Sequence, residues 1–357
     1  MAFKIEVIGL GAGDLDQLPL GIYKKLMNTD SEIYVRTMDH PVVQTLQAEG
    51  VLFKSFDHYY EQEAQFIDVY DKITQTLIER ANIAPVVYAV PGHPMLAEQT
   101  VQQLLAQDEI AVEILGGHSF LDDLFTALNI DPIEGFQLID ATAFARNQIN
   151  YQQHIVFCQV YDGFVASEVK LALLEDLPPD YKVTIVEAAG TTQEKLTVVP
   201  LHELDYGLEV NNLRSVYIPP PPKELLNHTF SRLKEVIATL RGPHGCEWDK
   251  QQTHESLRPF LIEEAYEVID AIDRQDDDGI VEELGDVLLQ VMLHSQIGEE
   301  SGYFVIDDVI KGITEKMIRR HPHVFGDEQV HSVEDIHRNW EALKQAEKGE
   351  EPISILD

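Results

Sequence analysis

Glu263, Glu264 and Glu267 lie close together in one stretch of the chain, and Glu282, Glu283 and Asp286 in the next. On a helix, residues three or four apart share a face. Glu264 with Glu267, and Glu283 with Asp286, would each present two carboxylates side by side. Their neighbours are largely apolar: Ile262, Ala265, Val268, Ile269 and Ile272, then Val281, Leu284, Val287 and Leu288. Carboxylates gathered at such a seam repel one another and lose hydration, and a hard divalent cation with oxygen ligands relieves both costs. Gly285 points to close helix approach, because Gly inside a helix costs about 1 kcal/mol relative to Ala. The alternative is two solvated acidic faces, which is how the run Asp276–Asp278 reads.

A counterpart of opposite sign follows. Lys316, Arg319 and Arg320 close the next helical stretch, just before His321-Pro322-His323. Basic residues favour helix C-termini through the macrodipole, by ~0.3–1 kcal/mol each. The chain has 26 Lys+Arg against 62 Asp+Glu, a net charge of −36, so this cluster is also a local reversal of the field that suits an anion. The same charge repels nucleic acid and anionic membranes, and neither is expected as a partner. Trp340, further on, is either core packing or a platform for a base. The proline after His321 accounts for that histidine and for His323 as a helix end. Residue types and spacing alone thus reach metal-dependent chemistry on an anionic substrate.

The elements that must position these groups change character at Pro219–Pro222. Four prolines cannot donate ladder hydrogen bonds and favour an extended linker, here 219–223. Beyond it, over 224–350, strand patterns vanish. Helices are expected at Thr229–Leu240, Glu255–Arg274, Asp278–Gly298, Ile306–Arg320 and Val333–Glu347, an all-α bundle. Before it, over 1–218, strands alternate with helices such as Glu61–Arg80. Lys4–Leu10, Glu32–Arg36, Pro85–Val90 and Val112–Leu115 suit a mostly parallel sheet. Gln137–Asp140, His154–Val160, Lys182–Glu187, Leu196–Val199 and Arg214–Ile218 suit a second α/β lobe, joined to the first near 116. Met1 leads directly into a strand pattern, and Cys158 and Cys246 have no CxxC or Cys/His spacing, so a reducing cytoplasm is expected.

Three loops in the first part are candidates to hold a ligand. The first strand runs into Gly9-Leu-Gly11-Ala-Gly13-Asp14, whose GxGxGD spacing is not the dinucleotide fingerprint. Pro91-Gly92-His93-Pro94 follows a later strand, and Ala188-Ala-Gly190-Thr191-Thr192 follows one in the second lobe. Each is also explicable as turn chemistry. At the ends of parallel strands, such loops would line a crevice.

The segments Leu240–His254, Leu261–Val268, Glu282–Val287 and Lys316–Gly326 resemble, in order, the motifs of MazG-family nucleoside triphosphate pyrophosphohydrolases. The core of the match is EExxE…ExxD, within roughly 228–348. The resemblance implies cleavage of (d)NTPs to monophosphate and pyrophosphate. It implies Mg²⁺ on Glu264, Glu267, Glu283 and Asp286, with Glu263 nearby. Lys316, Arg319 and Arg320 would face the phosphates and Trp340 the base, in a homodimer. Glu247 stands where that family typically has Pro. Related proteins commonly continue into a second helical half, which this sequence does not contain.

The three N-terminal loops, in their order, resemble those of the tetrapyrrole methylases, two-lobed enzymes that bind S-adenosylmethionine between the lobes. That resemblance spans roughly 3–218. It implies cofactor contacts at Gly9, Gly11, Gly13, Asp14, Pro91, Gly92, His93, Gly190, Thr191 and Thr192. Ala12 stands where Pro is usual, and His93 where many such enzymes carry Asp. Together the two parts resemble the YabN-type two-domain arrangement. A competing reading makes the chain chiefly a methyltransferase whose helical part serves in dimerisation.

Overall fold

A computed structural model describes residues 3–328, 330 and 332–347. The expected end of the helical region at 350 lies outside them. The chain divides into two compact units after Leu226.

The first sheet contains β1 (Ile5–Gly9), β2 (Glu32–Val35), β3 (Phe53–Ser55), β4 (Val86–Val90) and β5 (Val112–Ile114). All pairings are parallel, in the order β3-β2-β4-β1-β5. A parallel sheet covered on both faces needs near-continuous apolar strands, and β1 and β4 are buried at every residue. Ile5, Val7 and Tyr88 pack with Ile73 and Leu77 of α4 (Phe66–Ala81) and Leu104 of α5 (Gln99–Ala106). Ile8, Val35 and Ala89, on the other face, meet Leu26 of α1 (Leu20–Asn28) and Leu46 of α2 (Pro41–Ala48). The helix expected over 61–80 is broken. A shorter α3 (Asp57–Gln62) ends at Glu63, and Glu63 and Gln65 both adopt extended backbone before α4 begins. β3, only three residues long, left too little alternation to be foreseen. Connections leave the neighbours β1 and β4 in opposite directions, which opens a crevice at their carboxyl ends.

The second lobe begins with α6 (Phe120–Leu128), whose Leu124 packs with Val156 and Val186. Its sheet holds β6 (Phe136–Asp140), β7 (His154–Cys158), β8 (Lys182–Glu187), β9 (Lys195–Pro200) and β10 (Arg214–Ile218), ordered β6-β7-β10-β8-β9. Only β6 and β7 run parallel; the other pairings are antiparallel. The loop 188–193 therefore follows an antiparallel strand, a correction to the expectation that all three loops end parallel ones. Beneath this sheet lies α7 (Gly163–Leu174), held through Ala166, Val169 and Leu173.

The second unit contains only helices among its described residues. They are α8 (Phe230–Arg241), α9 (Glu247–Gln251), α10 (His254–Arg274), α11 (Asp277–Glu300), α12 (Ile306–Arg320), α13 (Pro322–Phe325) and α14 (Val333–Glu347). Thr253 and Ser256 cap the start of α10 reciprocally. Gln275 ends α10 in the left-handed region, and Asp276 caps α11 by accepting from Gly279 N at 3.1 Å. This two-residue turn folds α11 back along α10. The core gathers Ile237, Leu257, Met292, Leu293, Ile297 and Ile306, all at the end of the hairpin away from the turn.

Two expectations fail at the turn end. Ile262, Ile269, Ile272, Val281 and Leu284 are each more than half exposed, so these apolar neighbours of the carboxylates do not pack into a seam among the described residues. Gly285 marks no close approach, since a Cβ built there meets nothing within 4 Å. The physical reason is that the core stops short of this part of the hairpin. Gly285→Ala should accordingly stabilise the chain by about 0.5–1 kcal/mol through helix propensity alone. Gly117→Ala, whose Cβ would lie 2.6 Å from Gly9 Cα, should destabilise by about 1–3 kcal/mol as an overpacked contact. Urea unfolding of the two variants checks both signs.

Candidate functional site

The α10–α11 hairpin carries the carboxylates beyond its core. The antiparallel course sets Glu264 and Glu267 opposite Glu283, and one oxygen from each of the three lies within 4.8 Å of the others. Asp286 stands outside this trio, yet its charge raises the pKa of both Glu264 and Glu283. The Glu264 carboxyl is pushed up by loss of hydration, then by its contact with Glu267 and the charges of Asp286 and Glu263. The Glu283 carboxyl is pushed up likewise, by desolvation and by Glu267, Glu282 and Asp286, with Arg274 opposing. Lost hydration comes first in both, and repulsion from the neighbouring carboxylates adds to it. An all-oxygen, multiply anionic donor set of this kind fits a hard divalent cation.

Lys316, Arg319 and Arg320 sit in the last turns of α12, as the helix dipole favours. The Arg320 guanidinium lies over the Trp340 ring, 5.4 Å from its centroid, and Lys344 Nζ lies 5.0 Å from it. Trp340 on α14 is thus half-buried against cations rather than in an apolar core. His321 accepts no special role: its Nδ1 bonds Met317 O at 2.7 Å where α12 ends.

In the first unit, two of the three loops meet as backbone. Gly11 and Gly92 exchange hydrogen bonds of 3.2 and 2.8 Å, and Gly9 N donates to Gly116 O. A Cβ on Gly9 would meet Gly92 O at 2.2 Å and Gly117 Cα at 3.1 Å. The chain's own close packing therefore requires Gly9. Gly92, with φ +70°, faces open space, so a ligand can approach there. His93 turns its Nδ1 to Met95 N within its own loop. Asp14 is exposed and caps nothing, and Pro91 is half-buried.

The third loop is tied in by residues that sequence reasoning missed. Gln17 Nε2 donates to Gly190 O at 2.7 Å and to Asp123 Oδ2 at 3.0 Å, and His118 Nε2 shares that carboxylate oxygen at 2.8 Å. Gly13 and Gly190 leave room for this network, since a Cβ on either would strike Gln17 or Asp123. Thr191 Oγ1 donates to Ala188 O, whereas Thr192 is exposed. No spacing signals the network, because Gln17 and Asp123 are 106 residues apart. The acid–imidazole pair after Gly116-Gly117 was the only available clue.

Comparison with known proteins follows the same division. The model for tetrapyrrole (corrin/porphyrin) methylases matches residues 4–205, and that for the MazG nucleotide pyrophosphohydrolase domain matches 252–325. An uncharacterised protein, YabN of Bacillus subtilis (strain 168), is 54% identical over 361 residues, covering 100% of this chain and 74% of its own. The MazG nucleoside triphosphate pyrophosphohydrolase/pyrophosphatase of Thermotoga maritima is 55% identical over 36% of this chain and 48% of its own. The nucleoside triphosphate pyrophosphohydrolase of Escherichia coli (strain K12) is 41% identical over 34% of this chain and 46% of its own. The chain thus spans about half the length of the last two. It belongs to the tetrapyrrole methylase family and, with its MazG domain, to the same two-domain family as YabN.

The repulsion has a measurable sign. Carboxyls raised in the folded state bind more protons there than when unfolded, so without metal they oppose stability as pH rises through their raised range. Glu267→Gln should raise the metal-free melting midpoint at pH 7 by about 1–3 °C, the scale of an exposed charge interaction. A lowered midpoint in calorimetry would show that the carboxylates are not in conflict.

Proposed function

We propose, from that membership, that the helical unit hydrolyses (deoxy)nucleoside triphosphates to the monophosphate and pyrophosphate. The observation that supports this most directly is the trio Glu264, Glu267 and Glu283, gathered on the hairpin that the MazG model covers. In this reading those three and Asp286 hold Mg²⁺, with Glu263 beside them. A bound divalent cation would supply charge neutralisation on the polyphosphate and activate water. Lys316, Arg319 and Arg320 would bind and orient the phosphates. Trp340 would receive the base. That role requires its ring to exchange Arg320 or Lys344 for the nucleotide.

The domains would run 1–218 for the methylase-like part, with lobes meeting near 116, then 219–223 as linker and 224–350 for the MazG part. S-adenosylmethionine is the ligand that the first part's family implies, approaching at the open face of Gly92 among Gly9, Gly11, Gly13, Asp14, Pro91 and His93, with Gly190, Thr191 and Thr192 opposite. Among the described residues no helix is long and apolar enough to cross a membrane. A homodimer in the cytoplasm is the assembly proposed, and the exposed apolar residues of α10 and α11 support the pairing.

The test incubates the full chain with a panel of dNTPs and NTPs plus Mg²⁺, assaying pyrophosphate and orthophosphate separately. Pyrophosphate with the matching monophosphate is expected, abolished by EDTA. Glu264→Gln should lower the rate by at least about 100-fold, the scale of losing one preorganised electrostatic group. Release of orthophosphate instead, or an unchanged rate in Glu264→Gln, would overturn the reaction or the ligand assignment respectively.

A further inference from the structure

At the carboxyl ends of β2 and β4 lies a polar cluster that neither proposed reaction uses. Arg36 directly follows β2, and its Nη1 donates to Glu98 Oε1 at 2.6 Å. Glu98 is 5% exposed and stands at the N-cap of α5, yet its side chain does not cap that helix. It turns to Arg36 instead.

Three hydroxyls near this pair are buried without a hydrogen-bond partner: Tyr60 Oη on α3, Tyr88 Oη on β4 and Thr100 Oγ1 on α5. Tyr88 and Thr100 interact at close range without reaching full hydrogen-bonding geometry. Each unmade buried hydrogen bond costs about 1–3 kcal/mol, so packing alone would favour Phe or Val at these places. The Arg36 side chain is 35% exposed. Tyr161, from the loop after β7, interacts electrostatically with Arg36 and Tyr70, so the second lobe borders the same spot. Phe66, 70% exposed, adds an uncovered aromatic surface, its ring 6.4 Å from those of both Tyr60 and Tyr70.

We propose that Arg36, Tyr60 and Tyr88 bind the carboxylate of a small molecule whose aromatic body lies against Phe66, and that this carboxylate displaces Glu98 from Arg36. Every group offered to the ligand's head is a donor, which selects an anion. A single guanidinium matches one carboxylate through paired hydrogen bonds. A phosphate monoester, with about −1.5 to −2 charge, would leave charge uncompensated here. Glu98 is a replaceable partner, because burial outweighs its attraction to Arg36 and pushes its carboxyl up to about 7. Near neutrality an ordinary carboxylate is the stronger anion of the two. The site stands whether or not this lobe transfers a methyl group.

Titration calorimetry of the full chain with benzoate, benzamide and inorganic phosphate tests it. Benzoate should bind, with benzamide and phosphate each at least about tenfold weaker, as expected for losing one charge-assisted hydrogen bond. Arg36→Gln should weaken benzoate by about tenfold or more. Tyr88→Phe, which keeps the ring, should weaken it a few-fold, and Glu98→Gln should tighten it by removing the competing anion. Should Arg36→Gln fail to fold, the last two variants decide. No benzoate heat in either the unchanged chain or Glu98→Gln would overturn the proposal, leaving a structural ion pair and water-satisfied hydroxyls. So would affinity unmoved by Tyr88→Phe and Glu98→Gln, or phosphate bound in preference to benzoate.

Discussion

Mutual repulsion among Glu264, Glu267 and Glu283 governs the helical unit, because the apolar core ends before it reaches them. Leu257, Met292, Leu293 and Ile297 fasten the far end of the α10–α11 hairpin, and caps at Thr253 and Asp276 hold its two helices in register. The carboxylates are thereby held together where little apolar burial offsets their charge. The helices themselves bring these charges close, a donor set whose repulsion a hard divalent cation would relieve. Ile262, Ile269, Ile272 and Val281 beside them are likewise left exposed.

The first unit solves a different problem, that of bringing loops from two sheets to one place. Its means are steric more than electrostatic. Gly9 and Gly117 touch as bare backbone, and Gly11 and Gly92 pair just beyond the carboxyl ends of β1 and β4. Gln17 then reaches the second lobe through Gly190 and Asp123. The glycines read from the sequence as places for a ligand are therefore, in part, places for the chain itself. Gly92 and Gly116 both face open space at this junction. Both units thus place open backbone or uncompensated charge at the edge of a well-packed body.

With a net charge of −36, cationic side chains matter by position. Glu6 is a small example: it is nearly buried and is held by Lys25 at 2.5 Å and by Lys4. Burial alone would raise its carboxyl, but these lysines outweigh that and hold it low. Arg36 is paired with the buried Glu98, whereas in the α12 cluster the Arg320 guanidinium lies over the Trp340 ring. Local reversals of a strongly negative field are where an anionic ligand can be held at all.

The sequence by itself determined the elements and the pairs. Period-2 and period-3.6 patterns located the main strands and the five long helices to within a few residues, because burial on a sheet or a helix face leaves a local mark. Spacing alone put Glu264 beside Glu267, because three residues return a helix to the same face. It did not foresee the break at 63–65, the three-residue β3 or the antiparallel course of the second sheet. Those depend on backbone turns and strand partners that carry no period. The uncovered hairpin end was likewise hidden, since Ile269 and Leu284 read as core until the reach of the real core is known. Tertiary structure alone decided that Gln17 meets Asp123, that Arg36 meets Glu98, and that Glu283 closes on Glu264 and Glu267. Contacts between residues far apart in the chain are fixed by packing, and single-sequence patterning records only neighbours.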